Sequence, residues 1–165
     1  TEGQAVKLVR FCREAGHHPR FIEFMPLDAE AGWTGGQVLT GAEVRAILEG
    51  EFGPLEEVPR DDPGQPAIDW RWPDGSLVGF IDPVSRPFCD RCDRLRLTAD
   101  GQFRNCLFSA REWDARGVLR GGGDEGIEKR LADMLVECTA LKRAAHGIGD
   151  PDFERPARAM YEIGG

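Results

Sequence analysis

The stretch that decides the local fold is residues 89–106, Cys-Asp-Arg-Cys-Asp-Arg-Leu-Arg-Leu-Thr-Ala-Asp-Gly-Gln-Phe-Arg-Asn-Cys. Two short runs of strand type flank Ala-Asp-Gly at 99–101, a pattern that predicts a β-hairpin with a tight turn. The hairpin brings Cys106 back toward Cys92, and the tight spacing between Cys89 and Cys92 lets both thiols reach one centre. The stretch therefore predicts a metal site built on a hairpin.

The cysteine spacing alone leaves the identity of the metal open. Three thiols are one short of the usual set of four, so a structural zinc would need a histidine, and His146 would have to fold back to supply it. A [4Fe–4S] cluster with three cysteine ligands would instead leave one iron open to a substrate. The other two cysteines, Cys12 and Cys138, lie on apolar helical faces and are interpreted as small buried hydrophobic residues.

Arginines follow the second cysteine of the stretch. Arg94 and Arg96 are two residues apart, so in a strand they would share one face, and guanidinium groups bind phosphate oxygens in a bidentate manner. A solvated strand face is the simpler interpretation of such a pair, but its proximity to Cys92 favours a combined metal and anion site. Arg104, on the partner strand, is a weaker candidate for the same site.

Composition limits the partners of this chain. The 165 residues carry a formal net charge of −8, which argues against nucleic-acid binding. No apolar run approaches the roughly 18 residues of a membrane span. An odd number of cysteines, five, with no secretory signal favours metal or redox chemistry over a disulfide framework.

The rest of the pattern predicts a mixed α/β to α+β fold. Apolar residues at 5, 8, 9 and 12 predict a helix that begins near Thr1, and a buried strand, Arg20–Met25, follows it. One helix–strand step cannot cover a parallel sheet, so missing sequence or another chain must complete it. Further predicted elements are a helix capped by Thr40 and running to Glu49, strands Ala67–Trp72 and Leu77–Ile81, and a long helix from Asp124 to His146.

A longer motif carries a family resemblance. It runs from Phe80 as Phe-Ile-Asp-Pro-Val-Ser-Arg-Pro-Phe-Cys-Asp-Arg-Cys-Asp-Arg-Leu-Arg-Leu-Thr-Ala-Asp-Gly and continues with Arg-Asn-Cys-Leu-Phe at 104–108. This block resembles the C-terminal region of the GTP 3′,8-cyclase family, radical S-adenosylmethionine enzymes of molybdenum cofactor (molybdopterin) biosynthesis. Residues 20–25, Arg-Phe-Ile-Glu-Phe-Met, resemble a late barrel strand of that family, and Gly164-Gly165 resembles its double-glycine tail.

The resemblance implies an architecture for the longer protein. Residues 1–27 would be the last helix–strand step of an incomplete (β/α) barrel. Residues 28–165 would be a C-terminal α+β extension whose antiparallel sheet carries an iron–sulfur cluster. The missing N-terminal barrel portion is then a partner of this chain, the full-length enzyme is a candidate homodimer, and the expected location is the cytoplasm.

The resemblance also implies roles for individual residues. Cys89, Cys92 and Cys106 would ligate a [4Fe–4S] cluster whose open iron binds GTP. Residues 94–96, Arg-Leu-Arg, would contact GTP. The remaining implied roles are GTP binding by Arg20, a contact with S-adenosylmethionine by Met25, and a role in catalysis for Gly164 and Gly165.

Two departures from the family pattern matter. The family's Cys-x3-Cys-x2-Cys motif, which generates the radical that converts GTP to 3′,8-cyclo-7,8-dihydro-GTP, is absent from these 165 residues. The full-length protein is therefore expected to be a lyase and this chain alone to be inactive. Asp93 stands where the family usually has asparagine. Two other hypotheses remain, a non-catalytic zinc-binding or scaffold module and a different radical enzyme with an auxiliary cluster domain.

Overall fold

The computed structural model describes residues 2–27, 32–62, 64–121, 125–148 and 150–163. The chain forms two compact units, one of Thr1–Met25 with Thr34–Arg91 and the other of Pro26–Trp33 with Cys92–Gly165. Its helices are α1 Glu2–Ala15, α2 Gly41–Phe52, α3 Ala115–Arg120 and α4 Ile127–Ala140. Its strands are β1 Arg20–Ile22, β2 Glu56–Glu57, β3 Ile68–Arg71, β4 Leu77–Ile81, β5 Arg96–Leu97, β6 Gln102–Arg104 and β7 Trp113–Asp114.

The first unit is a four-stranded mixed sheet in the order β1-β4-β3-β2. Strands β3 and β4 correspond to the predicted strands 67–72 and 77–81 and form an antiparallel hairpin, whose turn places Gly75 at φ 89°, a conformation that favours glycine. Strand β1 pairs with β4 in parallel and forms one edge of the sheet. This part of the fold confirms the mixed class, with its antiparallel hairpin, that the sequence predicts.

Helices α1 and α2 pack over the core of the first unit. The core includes Val9, Leu48, Trp72 and Val78, each at most 1% exposed. Helix α2 begins as predicted at Thr40, whose hydroxyl accepts the Glu43 N–H while the Glu43 carboxylate accepts the Thr40 N–H. Such a capping box satisfies backbone donors that the first turn of a helix leaves open.

The predicted buried strand at residues 20–25 is wrong in length and in burial. Strand β1 ends at Ile22, and Ile22 and Phe24 are 58% and 48% exposed, whereas Glu23 is 3% exposed. Pairing stops because β4 ends at Ile81 and the chain turns away at Pro83, which has no N–H to donate. Side chains alternate along an extended chain, so Ile22 and Phe24 lie on the exposed face and Glu23 lies on the buried one.

Helix α1 shows a similar division of its apolar residues. Ala5, Val9 and Cys12 are buried, as predicted, but Leu8 and Phe11 are 46% and 61% exposed. The buried residues follow the i, i+4, i+7 spacing of a single stripe, and the other two lie on a neighbouring stripe. The buried face of α1 is therefore narrower than the spacing of its apolar residues predicts.

The second unit contains the three-stranded antiparallel sheet β5-β6-β7. Its first hairpin turns at residues 99–101 as predicted, with Gly101 at φ 85°. A side chain at Gly101 would also lie 2.7 Å from the Arg116 Cβ. Strand β7 and helix α3 have no counterpart among the predicted elements.

The last long helix is shorter than the sequence predicts. Helix α4 spans Ile127–Ala140, and the predicted start at Asp124 lies outside the described residues. Gly126 precedes the helix with φ 76°, and the Leu141 N–H caps its end by donating to the Glu137 carbonyl. In the described residues, no helix is both long and apolar enough to cross a membrane.

Candidate metal and anion site

The β5–β6 hairpin positions the central residues of the candidate site. Strand β5 begins at Arg96, directly opposite Arg104 of β6. Arg94 lies before the strand, so the prediction that both arginines project from one strand is wrong. Strands β5 and β6 pair over two residues each. The turn begins directly after them, where the Gln102 N–H donates to the Thr98 hydroxyl.

Arg94 turns back toward the preceding cysteine. Its Nε donates to the Cys92 Sγ at 3.3 Å. Burial would raise the pKa of the Cys92 thiol, but hydrogen bonds from Arg94 and the charges of Arg94 and Lys142 bring that pKa below its ordinary value. The local structure therefore favours the thiolate, which is the form that binds metals.

Arg96 lies among charges of both signs. Burial lowers the pKa of its guanidinium, and so does the charge of Arg94, whereas Cys106 and Cys92 act in the opposite direction. Both hairpin cysteines are thus close enough to Arg96 to interact with it electrostatically. The second unit brings together Cys92, Cys106 and two of the predicted anion-binding arginines.

Arg104, a weaker candidate for the anion site, forms an ion pair and binds backbone carbonyls instead. It is 2% exposed, its fork donates to the Glu112 carboxylate, and it also binds the Leu107 and Ser109 carbonyls. Arg158 contacts the same Glu112 carboxylate at 2.8 Å. Arg104 is therefore engaged in shaping the loop that follows Cys106.

Cys89 belongs to the first unit, where it opens the short 3-10 helix Cys89–Arg91. The turn that leads to it is anchored by Glu23, whose carboxylate accepts the Val84 and Ser85 N–H groups, each at 2.9 Å. Burial, followed by the charge of Glu23, raises the pKa of Asp82 at the start of this turn. A buried carboxylate thus orders the segment before the first predicted ligand.

The thiol chemistry of these residues fits an iron–sulfur cluster. Cys89, Cys92 and Cys106 form no disulfide and are partly exposed, whereas Cys12 and Cys138 form none and are buried, as predicted for small hydrophobic residues. Within the described ranges, no three His, Cys, Asp or Glu side chains form a group that could hold a metal ion. The fit therefore rests on the type of ligand, and on the cations near Cys92 and Cys106, rather than on a formed cage.

His146, the histidine that the zinc alternative requires, lies in the second unit beside a cavity of 610 Å³ that Cys106 also lines. Its ring packs against Phe108 with centroids 5.3 Å apart. Its Nδ1 accepts the Ile148 N–H at 2.9 Å. Because Nδ1 accepts this hydrogen bond, the proton of a neutral ring lies on Nε2.

Arg20 and Met25 lie in the first unit, at either end of the predicted strand. The Arg20 side chain is 51% exposed and passes over Gly79, where a Cβ would lie 2.9 Å from its Cγ. Its guanidinium is 3.9 Å from the Asp69 carboxylate. Met25 is partly buried beyond the end of β1. The predicted roles of Gly164 and Gly165 fall outside the described residues.

Sequence reasoning missed two polar residues that order segments next to predicted ligands in the chain. Glu23 stands inside an apolar run, and a charged residue in such a run is a signal that could have found it. Lys142 donates from its Nζ to the Arg94 carbonyl at 2.7 Å and to the Asn105 carbonyl. A single lysine beyond a helix carries no signal in the sequence, because its acceptors are 48 and 37 residues away.

Comparison with known proteins gives a consistent family. A family model described as Molybdenum Cofactor Synthesis C matches residues 17–148. Proteins named GTP 3′,8-cyclase from Rhodopirellula baltica and Mycobacterium sp. (strain KMS) are 44% and 47% identical over 100% and 98% of this chain. A protein of the same name from Rhodococcus opacus is 43% identical over 100% of the chain. The chain spans about half the length of these relatives, 46%, 45% and 46% respectively.

Proposed function

Because this chain belongs to the Molybdenum Cofactor Synthesis C family, we propose that it is the C-terminal portion of a GTP 3′,8-cyclase and that it holds the substrate. The observation that carries the proposal is the hairpin on which Cys92, Cys106, Arg94 and Arg96 lie together. The relatives that cover the chain share that enzyme name. In the full-length protein the product would be 3′,8-cyclo-7,8-dihydro-GTP.

In this proposal Cys89, Cys92 and Cys106 hold a [4Fe–4S] cluster, which when bound supplies an iron with one open position for the guanine base. Thiolates are the required ligand form. Arg94 favours that form at Cys92 through its hydrogen bond of 3.3 Å to the sulfur. The arginines also offset negative charge from the thiolates and from a bound nucleotide.

We propose that Arg94, Leu95 and Arg96 contact GTP, with the two guanidinium groups on its phosphates. Leu95 is 38% exposed between them, so an apolar contact with the nucleotide is open to it. Holding the base and the triphosphate in one orientation brings the ribose and the base close together. Such positioning supplies much of the rate enhancement in a ring closure.

The exposed apolar side chains of the first unit suit a protein that continues before Thr1. Leu8 and Phe11 of α1 and Ile22 and Phe24 at β1 are all more than 40% exposed. Strand β1 is also an edge strand of the sheet in the described residues, and an edge strand can pair with another strand. We propose that the N-terminal barrel portion covers these groups and that residues 1–27 complete its last step.

Two further contacts follow from this arrangement. Arg20 is exposed, as are Ile22 and Phe24, which alternate with it along the chain, so it is proposed to reach GTP inside the completed barrel. Met25 lies beyond the end of β1, where barrel enzymes place their sites, and is proposed to contact S-adenosylmethionine. The chain alone is expected to be inactive, since the radical-generating cysteine motif is not among its residues.

Anaerobic reconstitution of the 165-residue chain with iron and sulfide tests the cluster. We expect about four iron and four sulfide per chain with a broad visible absorption band, and loss of both in a Cys92→Ala Cys106→Ala variant. A Cys12→Ala variant is the matched control, because that thiol is buried in the first unit. Stoichiometric zinc without sulfide would instead support the zinc-binding module.

Equilibrium binding of GTP to the reconstituted chain tests the arginines. Replacing Arg94 and Arg96 by alanine removes charge-assisted hydrogen bonds, so binding should weaken at least about tenfold. Arg120→Ala, at the exposed end of α3, is the control and should leave binding unchanged. Equal affinities for the double variant and the control would contradict the proposed substrate role.

A further inference from the structure

Lys142 lies just beyond the end of α4 and reaches the hairpin that carries two of the proposed cluster ligands. Its Nζ donates to the Arg94 carbonyl at 2.7 Å and to the Asn105 carbonyl. Arg94 is two residues after Cys92, and Asn105 directly precedes Cys106. One ammonium group therefore bridges the two backbone segments on which these cysteines stand.

Asn105 makes the connection reciprocal. It is 5% exposed, and its Nδ2 donates to the Cys138 carbonyl at 2.9 Å. That carbonyl belongs to the last turn of α4, where helix carbonyls lack partners within the helix. The end of α4 thus donates to the hairpin through Lys142 and accepts from it through Asn105.

The chemistry of a lysine suits this position. An ammonium group has three donors and no acceptor, so it can hold two carbonyl oxygens at once. Hydrogen bonds from a charged donor are about twice as strong as neutral ones.

We propose that Lys142 is a positioning residue that sets the spacing between the Cys92 and Cys106 segments by bridging the carbonyls of Arg94 and Asn105. Where it concerns the cluster, the inference rests on the proposed function. Where it concerns the hairpin, it does not, because both bridging hydrogen bonds join groups of this chain. The two parts are therefore tested separately.

The first test is amide hydrogen exchange of the metal-free chain. Lys142→Met keeps the length and apolar stem of the side chain and removes the donor. It should speed exchange at the Thr98 amide, which donates to the Gln102 carbonyl across the hairpin, by about tenfold or more. Lys142→Arg keeps a charged donor and should restore most of the protection.

Lys129→Met is the matched control for that measurement. Lys129 also lies on α4, but its side chain is 79% exposed and pairs with Asp133 on the same helix. It should leave hairpin exchange unchanged. Equal exchange at Thr98 in Lys142→Met, Lys129→Met and the unaltered chain would overturn the proposal. If Lys142→Met fails to fold, Lys142→Gln replaces it, and exchange equal to that of Lys142→Arg would overturn the proposal.

The second test is anaerobic reconstitution of the same variants. Lys142→Met should retain less than half of the iron and sulfide of the unaltered chain, and its remaining cluster should have a lower reduction potential, because a positive charge is lost nearby. Lys142→Arg should keep both properties. Full cluster content and an unchanged potential in Lys142→Met would overturn the cluster part. Failure of the unaltered chain to take up a cluster would count against the proposed function and leave the exchange result standing.

Discussion

Two buried charges, one in each unit, are stabilised in opposite ways. Glu23 is 3% exposed and its carboxylate binds neutral groups, namely the N–H groups of Gly41, Val84 and Ser85 and the Ser85 hydroxyl. Arg104 is 2% exposed and binds the Glu112 carboxylate as well as two carbonyls. The first charge is held by backbone dipoles and a hydroxyl, and the second by an opposite charge.

The difference teaches how the segments near the predicted ligands are ordered. Glu23 organises the turn at Val84 and Ser85, five and four residues before Cys89, and Arg104 organises the loop that follows Cys106. Neither segment belongs to a strand, so side-chain hydrogen bonds to the backbone replace a ladder. Breaking the ion pair of Arg104 should therefore lower the free energy of unfolding more than neutralising Glu23, whose partners are uncharged.

The largest effect is expected for Arg104→Met. It removes a buried fork, leaves two loop carbonyls without their donor, and weakens the pairing of Glu112, which keeps only Arg158. The free energy of unfolding should fall by about 3 kcal/mol, measured by urea denaturation. Arg111→Met is the control, because its pair with Glu137 is about half exposed and should be worth at most about 1 kcal/mol. Equal decreases in the free energy of unfolding for the two variants would contradict the distinction between the buried and the exposed ion pair.

A smaller effect is expected for Glu23→Gln. Each carboxylate oxygen of Glu23 accepts at least two hydrogen bonds. In the variant, an amide NH2 group would replace one of these oxygens and would face N–H or O–H donors that it cannot accept. The free energy of unfolding should fall by about 2 kcal/mol. Glu14→Gln on the exposed side of α1 should change it by less than about 0.5 kcal/mol. A loss larger than that of Arg104→Met would reverse the comparison.

The smallest effect is expected at the exposed end of the Arg104 network, and only in acid. Hydrogen bonds from Arg158 and Thr98 lower the pKa of Asp100 from 3.8 to about 2. Because the unfolded chain then binds more protons between these values, stability should fall as pH decreases from about 4 to about 2. Asp100→Asn should flatten that part of the pH profile of unfolding, and Asp61→Asn, on an exposed bend, should leave it unchanged.

Local chemistry made several elements predictable. Gly101 adopts a positive φ in the turn that Ala-Asp-Gly at 99–101 predicts, and Thr40 begins α2 because Glu43 completes its capping box. The family and the candidate thiols were likewise readable from a short, specific motif. In each case the residues that determine the structure lie within a few positions of one another.

The burial of strand β1 was not predictable in the same way. An apolar run predicts burial on average, but Ile22 and Phe24 are exposed in this chain and Glu23 is buried. Glu23 is buried because Gly41 and the turn at Val84 and Ser85 supply its donors. Those donors come from segments 18 and 61 or more residues away.

The sequence by itself determined the hairpin, the helix cap, the family and the set of thiols and arginines proposed to act. Only the tertiary structure decided that Glu23 binds the Val84 and Ser85 N–H groups and that Lys142 bridges Arg94 and Asn105. The physical reason is range. Turns and caps depend on backbone conformation within a few residues, whereas the partner of a buried charge is chosen by which distant segments the packed core brings beside it.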